Sequence, residues 1–128
     1  MNIGDIYMLK EEFKNDFDEN QYNHAFVYLG NNDSGINGLM LTTSNKKKFK
    51  NIPMKKEHFN EGFDFTFGKS EEKPVSYIVP LNLIKSVEYS QLNKVGELTE
   101  LGIDFIEEES KNLEITTWSD YIYKIRKQ

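Results

Sequence analysis

The chain has no cysteine, and its 128 residues include one tryptophan, two histidines and three prolines. Arg126 is the only arginine, against fifteen lysines. Without cysteine there is no disulfide, no thiolate nucleophile and no Cys-ligated zinc. That absence fits a reducing cytoplasm, the expected location. His24 and His58 are too few for a histidine-rich metal site. The carboxylates at Asp16, Asp18 and Asp33 match no EF-hand spacing. Neither a metal nor another cofactor is therefore expected. No stretch approaches the roughly 18 consecutive apolar residues of a membrane span. The N-terminus also lacks the basic-then-apolar order of a secretory signal, so no membrane association is expected. There is no phosphate-cradling Gly-rich loop, no HExxH and no nucleophile elbow. Near-absence of arginine removes the usual planar, bidentate phosphate ligand.

What is present suits one domain, residues 1–128, long enough to bury a core without staples. Net charge is −5, which argues against a surface coated with nucleic-acid contacts. The charge is uneven, however. Between residues 45 and 60 lie Lys46, Lys47, Lys48, Lys50, Lys55 and Lys56, opposed only by Glu57. A basic segment of this kind draws phosphates, and it also serves simply as a solvated face.

The periodicity predicts an α+β, mainly β fold. Residues 3–9 read as a first strand, and residues 11–22 as a long acidic loop with a helical turn around Phe13 and Phe17. Residues 25–29 read as a short buried strand. Residues 31–38, rich in asparagine and glycine, carry hairpin chemistry, and residues 39–43 form the return strand. Phe63, Phe65 and Phe67 alternate with polar residues between Gly62 and Gly68, the period of a half-buried strand. Residues 75–79 are a further strand closed by Pro80, and residues 84–89 another. Thr99 is an N-cap, with Glu100 in the first helical turn. Leu101, Phe105 and Ile106 are expected on that helix's apolar face. Ser119 and Asp120 open a last helix with Tyr121, Ile122 and Ile125 as its apolar stripe. Strands thus fill residues 1–98 and helices residues 99–128.

Few side chains are candidates for chemistry. His24, just before the second strand, has the residue type for acid–base work near neutral pH; a histidine packed at a strand edge is the plainer reading. Thr42, Thr43 and Ser44 end the third strand, where hydroxyls can hold a phosphate or simply suit a turn. Aromatics such as Tyr77, Trp118, Tyr121 and Tyr123 offer base-stacking faces, although most aromatics belong to cores.

In strand order, three segments resemble the PemK/MazF family of toxin endoribonucleases. They are Gly4-Asp5-Ile6-Tyr7, His24-Ala25-Phe26-Val27-Tyr28-Leu29 and Leu39-Met40-Leu41-Thr42-Thr43-Ser44. Residues 77–87 resemble the family's segment before its last strands. Residues 94–98 resemble its Gly-x-Leu approach to a C-terminal helix. The resemblance implies a small SH3-like antiparallel barrel with C-terminal helices. It also implies a homodimer that binds single-stranded RNA and answers to an antitoxin protein partner. Family activity rests on an arginine opening the second strand and a Thr or Ser ending the third. Here His24 stands at the arginine's place, and Thr43 or Thr42 at the hydroxyl's. The expectation is a metal-independent endoribonuclease with His24 as acid/base. Thr43 (or Thr42) and Ser44 would hold the scissile phosphate, and Lys46, Lys47 and Lys48 would draw in the backbone. The alternative is a non-catalytic binding or regulatory module of the same fold, phage- or mobile-element-encoded.

Overall fold

A computed structural model describes residues 1–17, 24–33, 35–43, 46–63 and 76–127, with side chains described as far as residue 123. Among the described residues, eight strands form one mainly antiparallel sheet: β1 (Asp5–Leu9), β2 (Phe26–Asn32), β3 (Gly35–Thr42), β4 (Ile52–Pro53), β5 (Tyr77–Ile78), β6 (Leu81–Lys85), β7 (Leu92–Glu97) and β8 (Glu114–Thr117). Two α-helices follow β7: α1 (Glu100–Ser110) and α2 (Trp118–Lys127). The hydrogen-bonded order is β4-β5-β3-β2-β1-β7, with β6 branching from β3 and β8 pairing β6 in parallel.

The chain is therefore α+β and mainly β, as its periodicity indicates, but the expected barrel does not close. Among the described residues, the link between the β4 side and the β7 side is a single bridge, Phe59 to Leu98. Backbone bonds flank it, from Asn60 N–H to Glu97 O at 3.0 Å and from Thr99 N–H to His58 O at 2.9 Å. Two-residue strands such as β4 and β5 supply too few ladder bonds to carry a continuous wall.

Alternation along the central strands explains why the sheet is buried on both faces. Ile6 of β1, Val27 of β2 and Ala25 just before β2 turn one way with Leu39 and Leu41 of β3. Tyr7, Leu9, Phe26 and Tyr28 turn the other way with Ile36. The first face is covered by α1 through Ile106 and by Phe59 and Leu98. The end of the second is covered by α2, whose Trp118 and Ile122 pack on Met40 and Leu83. A fully buried aliphatic or aromatic side chain of this kind contributes about 1.5–3 kcal/mol. Leu83, Leu39 and Ile106 are each 0% exposed.

The opening motif has a structural meaning. Gly4 has φ +93° and lets Ile103 of α1 sit where a Cβ would be. Asp5 is buried, receives the Tyr7 hydroxyl at 3.3 Å and the Asn2 N–H at 3.1 Å, and pairs with Lys94 of β7 at 3.3 Å. The motif thus clasps β1 to β7 rather than building a site. Burial, reinforced by Asp5, pushes the Tyr7 hydroxyl up to about 12, so Tyr7 stays protonated at any physiological pH.

Several boundaries differ from expectation. The hairpin strands reach further than their asparagine and glycine content suggests, with Asn32 paired to Gly35. The strand expected at 84–89 lies instead at Leu81–Lys85, and Tyr89–Gln91 forms a 3-10 turn. The turn expected around Phe13 is a 3-10 helix, Glu11–Asp16. Leu101, placed on the apolar face of α1, is 61% exposed, while Gly102 and Ile106 are its buried positions. β7 falls within residues 1–98, expected to carry strands, though its period does not mark it as a separate strand, and β8 lies in the stretch 99–128 expected to be helical. Phe63 lies in a bend, and the expected strand through Phe65 and Phe67 falls outside the described residues.

Thr99 caps α1 as the sequence implies. Its hydroxyl accepts the Gly102 N–H at 3.2 Å and donates to Glu57 O at 2.6 Å. The cap ties α1 to the 3-10 turn Lys56–His58, and a Cβ on Gly102 would collide with the His58 carbonyl. Alanine is the better helix former by about 1 kcal/mol. Overpacking against backbone costs about 1–3 kcal/mol and is expected to win. Urea unfolding should show Gly102→Ala destabilised and Leu101→Ala within about 0.5 kcal/mol of the parent. A Gly102→Ala midpoint at or above the parent's would contradict this docking.

Candidate functional site

The site is built where β2 begins and β3 ends. Leu41 N–H donates to Ala25 O at 2.9 Å, which lays the residues before β2 alongside the last turn of β3's ladder. The His24 ring then reaches across: its Nδ1 lies 3.2 Å from Leu41 O. A carbonyl only accepts, so Nδ1 carries the proton and Nε2 keeps its lone pair. β5 pairs with the other side of β3, Leu41 to Ile78 and Thr42 to Tyr77. That pairing brings Ser76 to the same corner. The result is a cleft of about 200 Å³ lined by Met8, His24, Ala25, Leu41, Thr42, Thr43 and Ser76.

Two of the expected partnerships are therefore drawn together: His24 lines one cleft with Thr42 and Thr43. Both threonines reach it, so the choice between them stays open. Ser44 lies outside the described residues. Lys46, Lys47 and Lys48 are exposed and do not line the cleft. Lys47 and Lys48 begin the 3-10 turn Lys47–Phe49, and the Lys48 ammonium lies 5.0 Å from the Phe49 ring centre.

Sequence reasoning missed two residues. Ser76 is 6% exposed and adds a third hydroxyl to the cleft; its signal is only a polar residue beside a strand. Lys85 is 1% exposed, with its ammonium 4.7 Å from the Phe26 ring centre and 4.5 Å from that of Trp118. Lysine is almost never fully buried, so no pattern in the sequence points to it. Trp118 also stacks on Tyr121 at 5.4 Å, which assigns both aromatics to packing rather than to an open stacking face.

Burial holds His24 below its ordinary value of 6.5; the hydrogen bond to the Leu41 carbonyl partly opposes it, and the Lys85 charge adds a smaller lowering effect. Its imidazole is thus neutral at neutral pH, with Nε2 as a proton acceptor. His58 is also lowered, chiefly by burial, but in a different setting. Its Nδ1 accepts the Lys55 N–H at 2.9 Å, and its ring stacks on Phe105 at 4.5 Å. That geometry fixes the opposite tautomer and spends the ring on the 3-10 turn and α1.

Among the described residues no cluster of three or more His, Cys, Asp or Glu side chains could hold a metal ion. No described helix is long and apolar enough to cross a membrane. Comparison with protein-family models, with curated proteins and with solved structures finds no match to this chain.

Both histidines titrate lower in the fold than in the open chain, so the unfolded state takes up protons first. Their contribution to stability is complete above about pH 6.5 and is lost as pH falls toward the folded values. Thermal melts are expected to fall between about pH 7 and pH 5. The His24→Gln/His58→Gln double variant should fall less steeply over that range. An equally steep loss in the double variant would contradict the buried-neutral assignment.

Proposed function

We propose that the protein binds single-stranded RNA and cleaves it without metal, with His24 as the general base. The observation that carries this reading is the convergence of a neutral imidazole with two threonine hydroxyls in one small cleft. A fixed Nδ1–H tautomer leaves Nε2 ready to take a proton, as a general base must be. The similarity of residues 4–7, 24–29 and 39–44 to the PemK/MazF pattern supports the same reading.

In the proposed step, Nε2 of His24 takes the proton of a ribose 2′-hydroxyl. The 2′-oxygen attacks the adjacent phosphorus, and the bond from phosphorus to the 5′-oxygen breaks. A 2′,3′-cyclic phosphate forms, and the departing 5′-oxygen takes a proton from water. Thr42 and Thr43 donate to the non-bridging oxygens, the kind of aimed donor that stabilises developing charge. Lys46, Lys47 and Lys48 follow Thr43 closely in sequence and supply a diffuse attraction to the RNA backbone. With no arginine among the cleft residues, positive charge comes from these lysines at a distance, and a modest catalytic rate is expected. A second copy of the chain and an antitoxin-like protein belong to this proposal as partners.

One observation favours the second reading, a non-catalytic binding or regulatory module. None of the seven cleft residues carries a permanent charge, so a phosphate seated there meets hydroxyls rather than a cation.

The test is cleavage of an unstructured RNA oligonucleotide in EDTA. Wild type should give a 2′,3′-cyclic phosphate and a 5′-hydroxyl end, and the all-2′-deoxy strand should survive. His24→Ala is expected to lower the rate about 10²- to 10⁴-fold, while RNA binding remains salt-sensitive. Equal residual cleavage in wild type and His24→Ala would remove the base role. Binding without any cleavage would favour the second reading.

A further inference from the structure

We propose that His58 is an acid-released latch: its neutral ring fastens the 3-10 turn Lys56–His58 against α1 and so holds the seam at Phe59 and Leu98, and protonation of the ring lets turn and seam open locally. The inference goes beyond the His24 cleft and does not need it.

The geometry begins with a short segment that makes many ties. His58 Nδ1 accepts the Lys55 N–H at 2.9 Å. The His58 N–H donates back to Lys55 O at 3.0 Å, so the ring and backbone of one residue close the turn. The His58 carbonyl accepts the Thr99 N–H at 2.9 Å, and the Thr99 hydroxyl donates to Glu57 O at 2.6 Å. The ring lies 4.5 Å from that of Phe105 on α1, with the two planes 21° apart. The next two residues form the seam. Phe59 bridges to Leu98, and Asn60 reaches Glu97 through its N–H at 3.0 Å and its side-chain amide at 2.7 Å. The start of α1 and the end of β7 are thus both tied to one turn. A 3-10 turn has poorer hydrogen-bond geometry than an α-helix, and β4 before it has only two residues. Segments with so little ladder of their own belong to the parts of a fold that open first.

Protonation acts on the first tie. That tie needs the lone pair on Nδ1, and an imidazolium has none. The new Nδ1–H would face the Lys55 N–H, donor against donor. Stacking offers no replacement, because the hydrogens of a stacked ring lie along the Phe105 face and do not point into it. At 8% exposure the charged ring would also be short of water, which is costly for a buried ion. Opening relieves both costs, so protons bind the open turn more tightly than the closed one. The charged neighbours do not reverse this. Within the turn, Glu57 favours the imidazolium and Lys55 opposes it, burial outweighs both, and Lys56 is exposed. On α1, Glu100, Asp104, Glu107 and Glu108 are exposed, and Glu109 lies one turn beyond Phe105. At the end of β7, Glu97 is bonded to Lys94 and Asn60.

The test is amide hydrogen exchange on the intact chain, read residue by residue by NMR between about pH 7 and pH 5. Protection of the Lys55, Asn60 and Thr99 N–H groups is expected to fall by up to about tenfold per pH unit, from about pH 6.5 down to the folded midpoint of His58. The control is Lys10 N–H, bonded to Gln91 O at the far end of the β1–β7 pair, which should fall less. An equal fall at Lys10 marks global unfolding and would overturn the proposal. His58→Gln, whose amide oxygen can accept the Lys55 N–H without titrating, should abolish the fall, and His24→Gln should retain it. The same fall in His58→Gln, or its loss in His24→Gln, would overturn the proposal. Because His58→Gln removes the ring stacked on Phe105 and could fail to fold, wild type carries an independent measurement. Its ring ¹⁵N shifts should show an unprotonated Nδ1 on His58 at neutral pH. A protonated Nδ1 there would overturn the latch. None of these readouts depends on RNA cleavage.

Discussion

Leu41 carries the pairing on which the rest of this structure depends. Its N–H donates to Ala25 O, its carbonyl accepts from His24, and its side chain is 3% exposed in the core. It also pairs with Ile78 of β5. One residue thus joins the start of β2, the end of β3 and the strand that brings Ser76 to the cleft. A shift of β3 by a single residue would turn its core set to the opposite face. It would also take the carbonyl away from the imidazole. The core therefore enforces the geometry of the cleft, and the cleft inherits the register of the most buried strands.

Burial on both faces of the sheet has a second consequence. A site at the edge of such a sheet is partly desolvated by the same side chains that stabilise the fold. That desolvation keeps His24 neutral, and the hydrogen bond to Leu41 selects which nitrogen holds the proton. His58 shows that burial alone does not make a functional group. Burial lowers its pKa too, but its Nδ1 is engaged by Lys55 N–H and its ring is stacked on Phe105. The difference lies in what each ring nitrogen faces.

Much of the fold was legible in the residues. The apolar runs of β1, β2 and β3 and the Thr99 cap follow from local chemistry, and each appears where that chemistry points. β7 was hidden because its pairing with β1 slips between Ile6 and Tyr7, opposite Gly96 and Lys94. The extra residue, Val95, breaks the two-residue period. β8 is four residues long and pairs in parallel with β6, a long-range contact that no local pattern encodes. The strand at Leu81–Lys85 lay masked behind Pro80, which reads as a stop yet precedes the strand. At the cleft, His24, Thr42 and Thr43 were visible as residue types at strand ends. Lys85 was not, because its burial depends on two aromatic rings from β2 and α2 that meet only in the folded chain.

The claim at the centre of this account is that the His24 ring bears its proton on Nδ1 and offers Nε2 as a base. The ring ¹⁵N shifts of His24, measured at neutral pH on the full chain, report this directly. A protonated, pyrrole-type Nδ1 and an unprotonated, pyridine-type Nε2 are expected. The reverse pattern, or two protonated nitrogens, would contradict the account.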